Sequence, residues 1–472
     1  MTAETLTGLR TLLSSSSNLE VLSVWLTETH QHVLLHDTAA NRFSHAAYPL
    51  EGDSFTSLSD LRPNLDRMER TLADLSWKLP EGAADRRPWT DHGRWPAQGT
   101  FRGSRFIAAA PYRWAEEPQA AAVLPVGPVH AGIIEPGLFR FSHTGESVHR
   151  LEIRLGYKHR GLEAMMIGQE PAAAARLAAR LSGDSTAAWS LAYAQAVEQF
   201  CPKAPSLPDQ AGRRLVLELE RLANHLGDLG ALFGDVALHA LQMELWAARE
   251  ELARRAEAAF GHRLLMDCIR PGAAIACRNP DLYSGLEEDL MPRLDRWQTA
   301  YHRSAPARDR MQGAGLISRP AADRQSAGGI TGRASGRSFD ARSADPLLQE
   351  LGFTPLSRTD GDVEARLLLR FDEARQSLAL IRTLLPHVQP MEFQPALLPP
   401  IPDGAAFALV EGFRGPVLVW LAVNGGRLAA VHLRDPSWAH WPLLEEAMQT
   451  AILADFPLVN KSINGSYAGH DG

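Results

Sequence analysis

The chain has 472 residues, of which 45% are hydrophobic and 22% charged. That balance excludes a disordered or fibrous protein and leaves room for roughly two or three folded domains. Its 48 basic and 55 acidic side chains give a net charge of −7, which argues against a nucleic-acid partner. Lysine occurs only at Lys78, Lys158, Lys203 and Lys461, the other basic side chains being arginine, a usage that favours bidentate ion pairs in buried or interfacial places. Cys201, Cys268 and Cys277 form no C-x-x-C pair, so no disulfide framework or local thiolate site is read and a reducing compartment is expected. No signal-like start is present, and no run reaches the ~20 apolar residues of a membrane span. A soluble chain, or one held at a membrane by other subunits, is expected.

In chain order, residues 1 to about 105 mix a short alternating stretch at Val21–Leu26 with a helical pattern over Leu61–Leu79, the look of a modest first domain. Pro, Gly, Trp and Ala crowd 88–125 without a period, and a linker is assigned to 106–125. From Gly127, Phe139, Phe141, Val148, Leu151, Ile153 and Leu155 predict short strands about a His-Thr-Gly-Glu turn. Leu215, Leu219, Leu222, Leu226, Leu229 and Phe233 recur at three and four residues, an amphipathic helix, with similar helices near 239–260 and 363–385. Asn424-Gly425-Gly426 between alternating stretches predicts a hairpin. A helix near 442–452 and an irregular tail complete the chain, and no internal repeat is seen.

Several strings in this order resemble the large subunit shared by respiratory complex I, where it is the 49-kDa subunit, and the membrane-bound, energy-converting nickel-iron hydrogenases. They are GPVHAGIIEPGLFRF at 127–141, LGYKHRGLE at 155–163, ERLANHLGDLGALFGDVA at 220–237 and HRLLMDCIRPG at 262–272. GRASG at 332–336, GDVEARLLLRFDEARQSL at 361–378, DPSWAHWP at 435–442 and FPLVNKSINGSYAGHD at 456–471 follow. Met68 to Leu75, Pro80-Glu81-Gly82 and Asp85 to Trp89 are similar to the closing signature of complex I's 30-kDa subunit, with Ala83 where that signature carries histidine. The resemblance implies an α+β chain: a small N-terminal α/β domain over 1–105, then a mainly α-helical large-subunit domain with peripheral β-sheets over 126–472.

In the hydrogenase branch of this family two C-x-x-C pairs hold the nickel-iron centre, since soft thiolates suit those metals. The resemblance places the first pair after Arg180-Leu181 and before the helix ending Gln195-Ala196-Val197-Glu198, where Ser182-Gly183-Asp184-Ser185 stands instead. Ser466-Tyr467-Ala468-Gly469 occupies the second. Ser182, Ser185, Ser466 and Gly469 are thus vestigial ligand positions: no metal is expected, the two segments are expected to meet in space, and the chain end is expected to be buried with Tyr467 filling or lining the vacated pocket. Complex I likewise lacks the cysteines and uses the cavity for a quinone headgroup beside a partner's terminal iron-sulfur cluster.

The resemblance singles out His130 and Glu135 in the loop that reaches that cavity, Tyr157, His159 and Glu163 in GYKHRGLE, and Arg333 in GRASG, with Asp340 and Arg342 just after it. Against each stands a plainer reading: a solvated loop, a helix start favoured by its acid, or surface ion pairing. Arg221, Asn224, His225 and Asp228 share a helical face, which suits a buried polar network or a proton path. The leading functional expectation is a peripheral-arm subunit on the cytoplasmic face of the membrane that passes electrons from a small iron-sulfur subunit to a quinone-like acceptor, among membrane-arm partners. No tightly bound cofactor is expected in this chain, and no G-x-G-x-x-G follows a strand, so nicotinamide chemistry would belong to the assembly. The alternative is a non-catalytic structural or coupling subunit. An enclosed pocket lined by His130 or Tyr157 supports the first; a plugged pocket supports the second.

Overall fold

The computed structural model describes residues 4–93, 112–132, 134–392 and 398–472. Helix α1 (Leu6–Ser15) is capped by the Thr5 hydroxyl, which accepts from the Gly8 amide, and turns Leu9 and Leu13 inward. Strands β1 (Leu19–Leu26), β2 (His30–Asp37) and β3 (Arg42–Pro49) form an antiparallel sheet in that order. Short parallel strands β4 (Ser54–Thr56) and β5 (Leu79–Glu81) flank α2 (Asp66–Ser76). This helix is shorter than the expected 61–79, because Pro63 opens a 3-10 turn before it and Trp77 takes a left-handed φ of 61° at its end.

The expected boundary near 105 lies outside the described residues. Residues 122–125 of the expected linker belong to strand β6 (Ala122–Val126), which pairs with β7 (Leu138–Thr144); β7 pairs in turn with β8 (Ser147–Arg154) across a turn at Gly145. Phe139, Phe141, Leu151 and Ile153 point into the core, as their alternation requires.

The helical body begins with α3 (Leu162–Met166), α4 (Pro171–Ala178) and α5 (Thr186–Glu198). Two long helices follow, α6 (Leu207–Asp235) and α7 (His239–Phe260), then α8 (Leu286–Arg303). Helix α6 starts before the leucine stripe does, because Ser206 caps it and Pro208 sits in its first turn. Short helices α9 (Ala305–Met311), α10 (Arg319–Arg324), α11 (Gly329–Ala334) and α12 (Pro346–Glu350) lead to α13 (Val363–Leu384), which packs along α6.

Strands β9 (Gly404–Gly412), β10 (Gly415–Asn424) and β11 (Arg427–Arg434) form the last sheet, turning at Gly425-Gly426, both with positive φ. Helix α14 (Ser437–Ala447) starts earlier than the expected 442, carrying Pro442 within it. The expected irregular tail is instead two helices, α15 (Phe456–Ile463) with Pro457 in its first turn and α16 (Tyr467–Asp471) capped by Ser466. One continuous core runs from Leu9 to Tyr467, and a smaller cluster of Leu22, Trp25, Leu34, Leu418 and Trp420 lies between the first and last sheets.

Candidate functional site at the vacated ligand positions

Ser182 lies just after α4, in the turn leading to α5, and Ser466 caps α16. Their hydroxyls are 3.0 Å apart although 284 residues separate them, so the two segments meet as expected. The Ser182 hydroxyl donates to Asp184 Oδ1 at 2.8 Å. With that proton engaged, Ser466 donates to Ser182 while its own oxygen accepts from the Gly469 amide at 3.0 Å. At the fourth position, a Cβ on Gly469 would lie 2.5 Å from Asp435 Oδ2 and 3.0 Å from Ser466 Oγ, so a side chain there must displace the Asp435 carboxylate.

The residue that closes this junction is Arg414, on the tight turn between β9 and β10. Its guanidinium reaches both oxygens of Asp184, at 2.6 and 2.5 Å, and Ser185 Oγ at 3.2 Å, while its Nε donates to the Asn464 carbonyl. Asn464 ends α15 in a left-handed conformation and donates to Asp228 on α6, which also accepts from Arg370. Burial opposes the charge on Asp184, yet Arg414 and the Ser182 hydroxyl hold its carboxyl down at about 2. Burial, with the nearby Asp184 charge, raises the Asp435 carboxyl, whose Oδ2 has no hydrogen-bond partner among the described residues.

This donor set does not fit a nickel-iron centre. Hydroxyls replace thiolates, two of them touch each other, and the fourth position is closed. The chain's cysteines are Cys201, half-buried, and Cys268 and Cys277, whose thiols burial pushes up to about 12 and about 11.

The GYKHRGLE string clasps the last helix. Gly156 and Lys158 amides donate to the Asp471 carboxylate at 2.8 Å each, His159 Nδ1 lies 2.7 Å from the Asp471 carbonyl, and the Arg160 amide donates to the Gly472 carbonyl. The Arg160 guanidinium donates to the Arg180 and Leu181 carbonyls beside Ser182. Gly469, His470 and Asp471 are buried, as the expected burial of the chain end requires. Glu135 joins the same clasp by accepting from the Ala468 amide at 2.9 Å. Tyr467 fills space against Trp441, 4.8 Å between ring centres, and Gly137, where a Cβ would come within 2.6 Å of its ring. Burial pushes its hydroxyl up to about 12.

Three expected site residues point elsewhere. His130 Nε2 meets the Gly137 carbonyl of its own hairpin at 2.8 Å. Tyr157 is partly exposed and rests on His92, 4.1 Å between ring centres. Glu163 turns to β11, accepting from the Leu433 amide at 2.7 Å and pairing with His432 at 3.3 Å.

Arg333 lies in α11. It is fully buried and pairs with Glu373 at 2.5 Å, Glu411 at 2.7 Å and Asp340 at 3.1 Å. Arg342 bridges Asp340 and Glu218, Arg221 pairs with Glu218 and Glu373, and His225 Nε2 is 3.1 Å from Glu373. So Arg221 and His225 enter this network while their helix neighbours Asn224 and Asp228 face the junction, Asn224 donating to the Asp184 carbonyl. Burial pushes the Glu411 carboxyl up to about 7, whereas Glu373 stays well below the usual range because Arg333 and His225 overcome its burial. Sequence reasoning missed Glu373, Glu411 and Arg414; the available signal was a charge set inside apolar stretches, as in FALVEGFRG.

Two cavities adjoin the junction. A cleft of about 550 Å³ between α6 and α7 is bordered by Gly183, Asp184, Leu219, Glu220, Trp246 and Leu264. A chamber of about 80 Å³ is lined by His159, Glu163, His432 and His470. Neither is lined by His130 or Tyr157.

Residues 235–400 match the family described as respiratory-chain NADH dehydrogenase, 49 Kd subunit. The chain is 30% identical over 348 residues to the carbon monoxide-induced hydrogenase of Rhodospirillum rubrum, covering 72% of this chain and 96% of that protein. It is 27% identical over 428 residues to hydrogenase-4 component G of Escherichia coli, covering 85% and 73%. Among solved structures, a chain of the membrane-bound sulfane sulfur reductase, an archaeal respiratory membrane complex, superposes with a TM-score of 0.68 at 25% identity, covering 75% of this chain and all of that one. The chain therefore belongs to the family of large subunits shared by the complex I 49-kDa subunit and the membrane-bound hydrogenases.

Proposed function

We propose that this chain is a peripheral subunit of a membrane-bound, complex I-like or hydrogenase-like oxidoreductase in which the former metal position serves as a structural and coupling junction. The observation that carries this reading is the closure of that position by the bidentate Arg414–Asp184 pair and the Ser182–Ser466 contact. Where relatives of this type would hold a metal, this chain ties the α4–α5 turn, the β9–β10 turn and the last two helices to one another through hydrogen bonds. A junction of that kind transmits displacement between segments without reacting. No helix among the described residues is long and apolar enough to cross a membrane, so attachment would run through membrane-arm partners at the cytoplasmic face, with a small iron-sulfur subunit covering the junction.

A second reading is favoured by the cleft between α6 and α7. It has the size of a small-molecule site and mostly apolar walls, and it borders Asp184. Burial raises the Glu220 carboxyl on its wall to about 8, so that group carries a proton at neutral pH. A quinone-like acceptor reduced by a partner's cluster would find a proton held there. The two readings separate in the intact complex carrying Ser182→Ala with Ser466→Ala, or Glu220→Gln, assayed for quinone reduction. The junction reading expects each variant to stay within about two-fold of the parent, whereas a fall of about ten-fold, near 1.4 kcal/mol of barrier, in Glu220→Gln alone supports the acceptor cleft. The same fall in the serine variant, with complex assembly and melting temperature unchanged, overturns the junction reading.

A further inference from the structure

The first sheet, β1–β3, and the last, β9–β11, face each other across a seam of tryptophan and histidine rings. Trp25 on β1 is the cross-strand neighbour of His32 on β2, and Leu34 is that of His45 on β3. From the other side Trp420 on β10 stands beside His432 on β11. These side chains stack as a ladder. His32 and His45 rings are 5.2 Å apart and 7° from parallel, Trp25 stacks on His432 at 4.7 Å and 10°, and Trp420 lies 4.8 Å from His32. His32 Nδ1 and His45 Nε2 are 3.0 Å apart, a hydrogen bond that needs one proton between them and is lost when both rings are cationic. The other His32 nitrogen faces the Thr27 hydroxyl.

We propose that this seam is an acid-sensitive latch between the first domain and the large-subunit body: protonation of the His32–His45 pair loosens it, and a rise in pH closes it.

The groups facing the pair define the electrostatics. His30 on β2 and His432 on β11 face it, and Trp25, Trp420 and Phe407 supply the rest of its surroundings. Of these histidines Glu163 of α3 reaches His432 alone, and Glu20, His36, Arg337 and Arg434 form a separate buried group toward the far end of β1, β2 and β11. Among the described residues no carboxylate forms an ion pair with His32 or His45. A first proton therefore enters beside other imidazoles and aromatic rings, where burial and its neighbours disfavour it. His32 is depressed to about 3 by burial, then by His45, His30 and His432, and burial also lowers His45. Both rings bind protons more readily once the seam opens. Its contribution is thus complete above the ordinary histidine value near ~6.5 and declines as pH falls below it. Opening would also release His432 on β11 from the Ser23 hydroxyl on β1.

The test is peptide-resolved hydrogen exchange on the full chain at about pH 7.5 and about pH 5.5, corrected for the intrinsic exchange rate. Peptides from β2, β3 and β10 should exchange at least about ten-fold faster at the lower pH while α6 and α13 change far less. His45→Gln, which keeps a hydrogen-bonding side chain without the titration, should remove most of that acceleration; His32→Phe, which keeps the stack, should do the same. His30→Gln, at the seam's edge, should leave it in place. A uniform acceleration across the chain, no acceleration in the seam, or an unchanged acceleration in His45→Gln overturns the proposal.

Discussion

The junction at Ser182 and Ser466 and the buried network around Arg333 are both made of charge and hydrogen bonds, and they adjoin through α6, yet they answer to different constraints. The junction is built from hydroxyls and one ion pair whose acid, Asp184, is partly exposed. The network holds Arg221, Arg333 and Arg342 against Glu218, Asp340, Glu373 and Glu411, with no side chain more than a few per cent exposed. At the junction two segments 284 residues apart converge through single hydroxyl contacts. In the network no member can change alone, because removing one charge leaves its partners buried and uncompensated. The difference lies in coupling: hydroxyl contacts can be exchanged singly at the junction, whereas the buried ionic frame beside it holds only as a set.

The largest effect is expected from Arg333→Met, which strands Glu373, Glu411 and Asp340; denaturant unfolding should show a loss of about 3–5 kcal/mol, as for other broken buried pairs. Lysine should rescue little, because one ammonium cannot meet three carboxylates held in a planar fork. Gly469→Ala comes next. Its Cβ would press on Asp435 Oδ2 and Ser466 Oγ, and overpacking of that kind should cost about 1–3 kcal/mol in the same measurement. Asp184→Asn should have the smallest effect, about 1 kcal/mol near neutrality, since the acid is partly exposed and screened.

That last variant also sharpens the comparison through pH. The Asp184 carboxyl sits at about 2 in the fold, below its ordinary value. Its stabilising contribution is therefore complete above about pH 4 and is lost as pH falls through about 2. An acid titration of unfolding should show a shallower acid limb in Asp184→Asn than in the parent, with the curves converging at the acid end.

How much of this was legible in the sequence depended on the length and period of each signal. The stripe from Leu215 to Phe233, the helix at 363–385 and the Asn424-Gly425-Gly426 turn carry many residues or a strong local preference, and each is found where expected. The convergence of Ser182 with Ser466 was legible only through resemblance, because no local pattern relates segments so far apart. The two closing helices were not legible. Each is at most eight residues long and depends on a Pro457 start or a Ser466 cap and on burial against Phe139 and Trp441. The partners of Arg414 and Arg333 were equally hidden: a charge in an apolar strand announces that it needs a partner, but tertiary packing chooses which.

A junction closed by its own side chains, as proposed for Ser182, Ser466 and the Arg414–Asp184 pair, holds no reaction-centre metal. Elemental analysis of the intact complex, purified without chelators and normalised to this chain, tests it most directly. Nickel is expected at well below about 0.1 atom per chain. About one nickel per chain, lost on Asp184→Asn or Ser466→Ala, would contradict it.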